Sequence, residues 1–351
     1  MKGAISQSRR GVIAGLSAAL ACPSTQVWCA DNERTEVVAP RHDATPEISD
    51  DNTLGAHTDP GQRMTVSLLV NGRGAYQFVV DTGADRSIIA EDIAQALNLT
   101  RGGAVLLNGL VRQVVSSTVA VQSLSTGSIT RTNLSLPVLP RSLLQADGYL
   151  GLDVLADSRV AFDFERQTVE LGMPHSPLRS LLGWFNDVRL RSGGELGHLR
   201  AAGCRVDDVQ ATAFVDTGAE VSAGNRALLG ALNGRNGAYS ELGMLRLTGV
   251  TGGAILGHVV STSIIHIQDL KFTSGNLVIA DLPVFDIWGL GKEPALLIGM
   301  NYLRQLARMS IDYRFKEIRF SLANSPNDRQ SALVAKYPAV RESAAVRRDA
   351  S

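Results

Sequence analysis

The tetrapeptide Asp-Thr-Gly-Ala occurs twice in this 351-residue chain, as Asp81-Thr82-Gly83-Ala84 and as Asp216-Thr217-Gly218-Ala219. At average residue usage, one such match is expected on the order of 0.01 times in a chain of this length. Phe78-Val79-Val80 leads into the first copy and Ala213-Phe214-Val215 into the second, so each aspartate is expected at the end of an apolar strand. The copies stay in register beyond the motif. Ser87 answers Ser222, and Ala96-Leu97-Asn98 answers Ala231-Leu232-Asn233, at the same offset of 135 (216 − 81). A lone Asp-Thr-Gly is readily a simple turn. Two copies in register instead describe a duplicated unit that delivers one carboxylate per copy.

Two buried carboxylates held a few ångströms apart cannot both ionise, so they share one proton. The ionised member can take a proton from a water as it attacks a carbonyl. The protonated member can donate to the developing oxyanion and then help protonate the leaving nitrogen. Asp81 and Asp216 are the candidates for this pair, and their pKa values belong to the pair. Gly83 and Gly218 let the chain turn sharply and turn backbone N–H groups toward the carboxylates. Thr82 and Thr217 are suited to hydrogen bonds across the junction between units, and Ala84 and Ala219 leave space beside the acids. Other chemistries lack support. The six histidines show no metal-ligand spacing such as H-E-x-x-H, no G-x-S-x-G elbow is present, and Gly289-Leu290-Gly291 lacks the third glycine of a nucleotide fingerprint. No metal site and no cofactor are expected.

The elements that must carry these residues are strands and hairpins. Met64, Val66, Leu68 and Val70 alternate with Thr65 and Ser67, Asn71-Gly72 supplies a hairpin turn, and Ala75 to Val80 returns carrying Asp81. Cys204 to Val206, Asp207-Asp208 and Val209 to Val215 trace a similar hairpin. Short helices are expected at Ala90 to Leu99 and Asn225 to Asn233. Each copy closes on a second shared pattern, Tyr149-Leu150-Gly151-Leu152-Asp153 against Leu297-Ile298-Gly299-Met300-Asn301. There follow Val160-Ala161-Phe162-Asp163-Phe164 and Met309-Ser310-Ile311-Asp312-Tyr313, each with a charged turn and a final strand. The closing offset of 148 (299 − 151) leaves 13 extra residues (148 − 135) in the second copy, which are expected in loops. Asp153 and Asn301, just after the supporting glycines, are read as hydrogen-bonded structural residues.

The length leaves room for two domains with hydrophobic cores. A net charge of zero gives no reason to expect nucleic acid or an anionic membrane as partner. Lys2, Arg9 and Arg10 precede a short apolar run from Gly11 to Ala21 ending in Ala19-Leu20-Ala21, which reads as an export signal too short to span a bilayer. The expected location is the periplasm or beyond. Lipoprotein anchoring at Cys22 is the less favoured reading, because Ala19 fits a lipobox poorly. With Cys22 and Cys29 beside the signal, Cys204 is the only cysteine of the folded body, and disulfides do not hold the fold. The expected organisation is a signal over 1–21 (cleavage as late as 30), a disordered spacer over 22–62, an N-terminal lobe over 63–173 and a connection over 174–202. A C-terminal lobe over 203–321 and a flexible tail over 322–351 complete it. Within the connection, Leu181-Leu182-Gly183-Trp184-Phe185 is too apolar for a free linker and is expected to pack on a lobe.

The pattern apolar–apolar–Asp-Thr-Gly-Ala–x–x–Ser, followed by apolar–apolar–Gly, resembles the retropepsin-like aspartic peptidases, over roughly Met64 to Leu171 and Gly203 to Phe320. The resemblance implies an all-β, bilobal acid-protease fold, two retropepsin-like β-barrel lobes with the active site between them, as in the single-chain pepsins. It implies that Gly151 and Gly299 cross behind the active-site loops and support them. Leu247-Thr248-Gly249-Val250-Thr251-Gly252-Gly253 resembles the family's flap, with Gly249, Thr251, Gly252 and Gly253 over the substrate. Copy one offers Asn108 and Gly109 as a weaker counterpart. Neither segment has the tyrosine of pepsin flaps, and Ala223-Gly224 replaces the apolar pair Ile88-Ile89, a loss of packing expected to loosen the second loop. The implied activity is aspartic endopeptidase cleavage of a peptide or protein substrate, with water activated by the Asp81/Asp216 dyad, no cofactor, no membrane span and a monomeric enzyme. The alternative is a catalytically inactive peptide-binding or scaffold protein on the same fold.

Overall fold

The computed structural model describes residues 12–13, 53–59, 61–172, 188–193, 199–236, 239, 241–268, 270–315 and 317–322. The alternation after Arg63 becomes the strand Met64–Val70, which buries Met64, Val66, Leu68 and Val70. The chain reverses through Asn71 and Gly72, both at positive φ (52° and 71°), and returns as Arg73–Val80. Six strands close the first barrel in the order Gln113–Thr126, Ile129–Leu139, Ile88–Ala90, Gly148–Leu150, Arg73–Val80 and Met64–Val70. Pairing of the last with the first shuts it. The second barrel repeats the order with Ala254–Ile267, Leu270–Ile279, Ala223–Gly224, Ala295–Ile298, Val209–Val215 and Arg200–Val206. Closure leaves neither barrel with an open edge of its own, and the inward residues fill each interior. The architecture is the all-β, two-lobed one that the repeated motifs imply.

A third layer joins the lobes. Thr53–Gly55, Thr168–Gly172, Arg159–Asp163, Leu306–Asp312, Glu317–Leu322 and Val188–Gly193 form six adjacent strands of one sheet. At its centre Arg159–Asp163 of the first lobe runs antiparallel to Leu306–Asp312 of the second, with Ala161 opposite Ser310. On either side of that point Arg159 pairs with Asp312 (2.7 Å) and Arg308 with Asp163 (2.9 Å). The two ion pairs are related by the pseudo-twofold axis of the duplication.

The structure corrects the expected start of order. Strands form within the expected spacer, ahead of Met64: Thr53–Gly55 pairs with Thr168–Glu170, and His57–Thr58 pairs with Met64–Thr65. These pairings join the segment to distant strands, and its own polar sequence carries no apolar period to announce them. Likewise Val188–Gly193, read as connection, is a strand bridging Glu317–Leu322 and Arg200–Val206. The expected anchor Leu181–Phe185 and the tail beyond residue 322 lie outside the described residues, as does the export signal apart from Val12–Ile13. Those two residues pair in parallel with Leu107 and Asn108. No helix among the described residues is long and apolar enough to cross a membrane.

Candidate active site

Each aspartate sits where a barrel strand ends against a parallel neighbour. Val79 and Val80 lie beside Tyr149 and Leu150, and Phe214 and Val215 beside Leu297 and Ile298. The N–H of Asp81 donates to the carbonyl of Leu150, and that of Asp216 to the carbonyl of Ile298, both at 3.0 Å. Beyond the aspartates the chain loops around Gly151 and Gly299. A Cβ on Gly151 would lie 2.6 Å from the Arg86 carbonyl carbon and 2.8 Å from the Ala84 oxygen. One on Gly299 would lie 2.8 Å from the Ala219 oxygen. Backbone on both sides makes the crossing possible only for glycine. Ser87 Oγ accepts from Gly151 N–H (3.0 Å) and donates to Asp153 (2.7 Å); Ser222 Oγ accepts from Gly299 N–H (2.9 Å) and donates to Asn301 (2.7 Å).

The two loops grip each other through the threonines. Thr82 N–H donates to Thr217 Oγ1 (3.2 Å) and Thr217 N–H to Thr82 Oγ1 (3.0 Å). Each hydroxyl donates across the junction, Thr82 to the Val215 carbonyl (3.0 Å) and Thr217 to the Val80 carbonyl (2.6 Å). All these groups are buried, so each bond lies where water does not compete. The grip brings Asp81 and Asp216 face to face. Gly83 N–H donates to Asp81 Oδ1 (2.8 Å), and Gly218 and Ala219 N–H donate to Asp216 Oδ1 (2.8 and 3.2 Å). Gly218 packs flat on the Asp81 carboxyl, where any side chain would collide with it. Both acids are 0 % exposed, and Oδ2 of each accepts no hydrogen bond from the described residues.

Burial pushes the Asp81 carboxyl up to about 6, against the pull of Gly83 N–H, Asp216, the Arg63 cation and Ala84 N–H. Burial raises Asp216 further, and the charge of Asp81 adds to the rise. Of the two, Asp81 is therefore the stronger acid and the first to lose its proton. Arg63 is buried, with Nε on Asp59 (2.6 Å) and Nη1 on the Tyr149 hydroxyl. Tyr313 is buried too. Its phenol accepts and donates no hydrogen bond among the described residues, and burial and the charges of Asp81 and Asp216 push its pKa upward.

Two hairpins, one from each lobe, meet at their tips. The first runs through Arg101–Asn108 and Gln113, the second through Glu241–Thr248 and Ala254. Arg112 Nε donates to the Thr251 carbonyl (2.8 Å), and Thr251 Oγ1 donates to the Arg112 carbonyl (2.8 Å). Gly109 packs directly on the Thr251 side chain, and Gly252 and Gly253 hold positive φ (79° and 81°) at the second tip. Leu110 and Val111 of the first tip are buried in an apolar cluster made otherwise of second-lobe residues, among them Phe214, Val221, Val278 and Leu282. The hairpin at Asn108-Gly109 is thus as long as its partner, and its tip includes Leu110, Val111 and Arg112, which the glycine count alone did not point to. The feared gap at Ala223-Gly224 is filled: Leu228, Ile279 and Leu277 close to within 2.8 to 3.1 Å of a Cβ on Gly224. Arg63 and Tyr313 were also missed. The only signal was the mismatch of Tyr149 with Leu297 and of Phe164 with Tyr313 in otherwise matched closing patterns.

Residues 66–154, the body of the first barrel, match the family described as aspartyl protease. No curated protein matches the chain. Among solved structures, the aspartic proteinase from Irpex lacteus is similar at 13% identity and a TM-score of 0.46, over 79% of this chain and 99% of that one. The similarity to that family thus lies in the first barrel, whose strand order the second barrel repeats.

Proposed function

We propose that this protein is an aspartic endopeptidase in which Asp81 and Asp216 activate a water for attack on a peptide carbonyl. The observation that carries the reading is the pair itself: two fully buried carboxyls face each other on threonine-locked loops, each with one oxygen held by backbone N–H and the other free to act. In the proposed reaction the ionised member takes a proton from water as the oxygen attacks the carbonyl carbon. The protonated member donates to the carbonyl oxygen as negative charge develops there. Collapse of the tetrahedral intermediate breaks the C–N bond, the leaving nitrogen takes up a proton from the dyad, and the pair returns to one shared proton. The Thr82–Thr217 grip fixes the two acids before substrate arrives, so little reorganisation is needed during the step. Gly151 and Gly299 support the loops, and the tips at Asn108-Gly109 and Gly249 to Gly253 cover the substrate.

The substrate is proposed to be an extended segment of a peptide or protein, held largely by backbone hydrogen bonds to the flap strands. The parallel pairing of Val12–Ile13 with Leu107–Asn108, next to the first flap tip, supports this, because it is an extended strand added to that edge. We further propose that the enzyme acts after export, on the pattern of Lys2, Arg9 and Arg10 before Gly11 to Ala21, and as a monomer, since one chain supplies both acids.

The test is cleavage of a diverse unstructured peptide library between pH 3 and 7, with products identified by mass spectrometry. Cuts made by the protein and lost in both Asp81→Asn and Asp216→Asn are the expected result. Peptide binding without cuts, retained in both variants, would instead establish the inactive binding protein.

A further inference from the structure

The two active-site loops repeat each other nearly residue for residue, but their surroundings do not. Asp81 and Asp216, Thr82 and Thr217, Ser87 and Ser222, and Gly151 and Gly299 make matching bonds. Behind the first loop lies a buried cation without a match among the described residues. Arg63 is 1 % exposed; its Nε donates to Asp59 Oδ2 (2.6 Å), Nη1 to the Tyr149 hydroxyl and Nη2 to the Leu144 carbonyl (3.2 Å). Its guanidinium carbon lies 5.3 Å from the Tyr149 ring centre. Tyr149 is one residue before Leu150, whose carbonyl holds the Asp81 N–H. In the second lobe the strand position of Tyr149, opposite the residue two before the aspartate, is taken by Leu297 opposite Phe214. Leucine offers no hydroxyl to hold a cation there.

We propose that Arg63 is a positioning residue that assigns the roles within the dyad: its buried charge keeps Asp81 as the ionised member, the base, and leaves the proton on Asp216. This rests on the peptidase reading above. The loops themselves do not favour Asp81, because Asp216 Oδ1 accepts two backbone N–H bonds and Asp81 Oδ1 one; the preference for Asp81 must come from the fixed charge behind the first loop. In an interior of low dielectric, a cation favours the nearer carboxylate over a distance that water would screen. The groups acting on Asp81 are Asp216, Arg63, and the neutral phenol of Tyr313; those on Asp216 are Asp81 and the same phenol. Arg63 in turn meets Asp59, Tyr149 and, across the lobes, the charge of Glu220. A purely structural Arg63 would only tie the Asp59 turn to the barrel, and its loss would lower stability without moving the proton.

The experiment is a titration of the full chain labelled with carbon-13 at the aspartate carboxyls, read by NMR, alongside the pH profile of cleavage. Asp81→Asn and Asp216→Asn serve to assign the signals. The first ionisation of the pair is expected at Asp81. Arg63→Met combined with Asp59→Asn, which removes the ion pair together, should move that ionisation and the acid limb of activity up by about one pH unit. Arg63→Lys should leave both near their original place. Asp59→Asn alone removes the opposing anion and should move them down. This opposite sign decides the matter even if the double variant does not fold. First ionisation at Asp216, or an unchanged position across the folded variants, would overturn the proposal. Labelled protein that titrates at Asp81 first but cuts no peptide would overturn the peptidase reading, and with it the role of base, while leaving the placement of the proton by Arg63 intact.

Discussion

Thr82 Oγ1 accepts from one buried N–H and donates to one buried carbonyl, both on the opposite loop, so its removal orphans two groups at once. Thr82→Val keeps the shape but should cost about 2–4 kcal/mol of stability, while Thr82→Ser should keep most of it; denaturant midpoints of the three proteins decide. The acids themselves make the opposite contribution. Their folded pKa values lie above the unfolded value of 3.8, so from pH 4 upward the unfolded chain holds fewer protons than the folded one. Stability should therefore fall as pH rises from about 4 to about 6, by roughly 3 kcal/mol for one carboxyl raised to about 6. Below pH 3.8 both states are protonated and the penalty vanishes. Asp216→Asn should flatten the slope, as urea denaturation at pH 4 and pH 7 would show. No flattening would mean that the buried pair is not what holds the proton.

Among the elements, the flaps carry the clearest consequence. Arg112→Ala removes one of the two tip-to-tip hydrogen bonds and leaves the other, which Thr251 donates to a backbone carbonyl. The tips should then open about 2–10 times more often, a change seen as faster amide exchange over 109–112 and 249–253 with the barrel strands unaffected. The same hairpins mark the limit of what the sequence displays. The strands before Asp81 and Asp216 were legible because their alternation is local, and the loops because four residue types at fixed spacing recur. The first flap was only half legible. Glycines announce a turn, but Arg112 matters because of Thr251, 139 residues away, and a contact of that kind leaves no local pattern. Arg63 was illegible for a related reason: a charged residue beside a strand reads as surface, and only Tyr149 and Asp59, closing around it, make it core. Thr53–Gly55 escaped notice because an edge strand is defined by the strand it joins.

For the molecule as a whole, the sheet between the lobes makes the duplication a mechanical fact. Arg159–Asp312 and Arg308–Asp163 lie on either side of the point where Ala161 meets Ser310, and both carboxylates are buried. Asp163→Ala and Asp312→Ala each remove the buried carboxylate of a junction ion pair and should each cost about 3 kcal/mol. Their near equality, measured by chemical denaturation, is the signature of a symmetric interface; a loss confined to one would show that a single lobe bears the contact. The crossed flap adds a consequence of another kind. Leu110 and Val111 are seated among second-lobe side chains, so on the proposed reading a substrate reaches the dyad only when both halves of the roof lift and a single bare strand is threaded beneath. A compact domain cannot be threaded. On the proposed peptidase reading, targets would be selected first by slackness, as chains already unravelled or tethered by loose linkers, and only then by the letters along them.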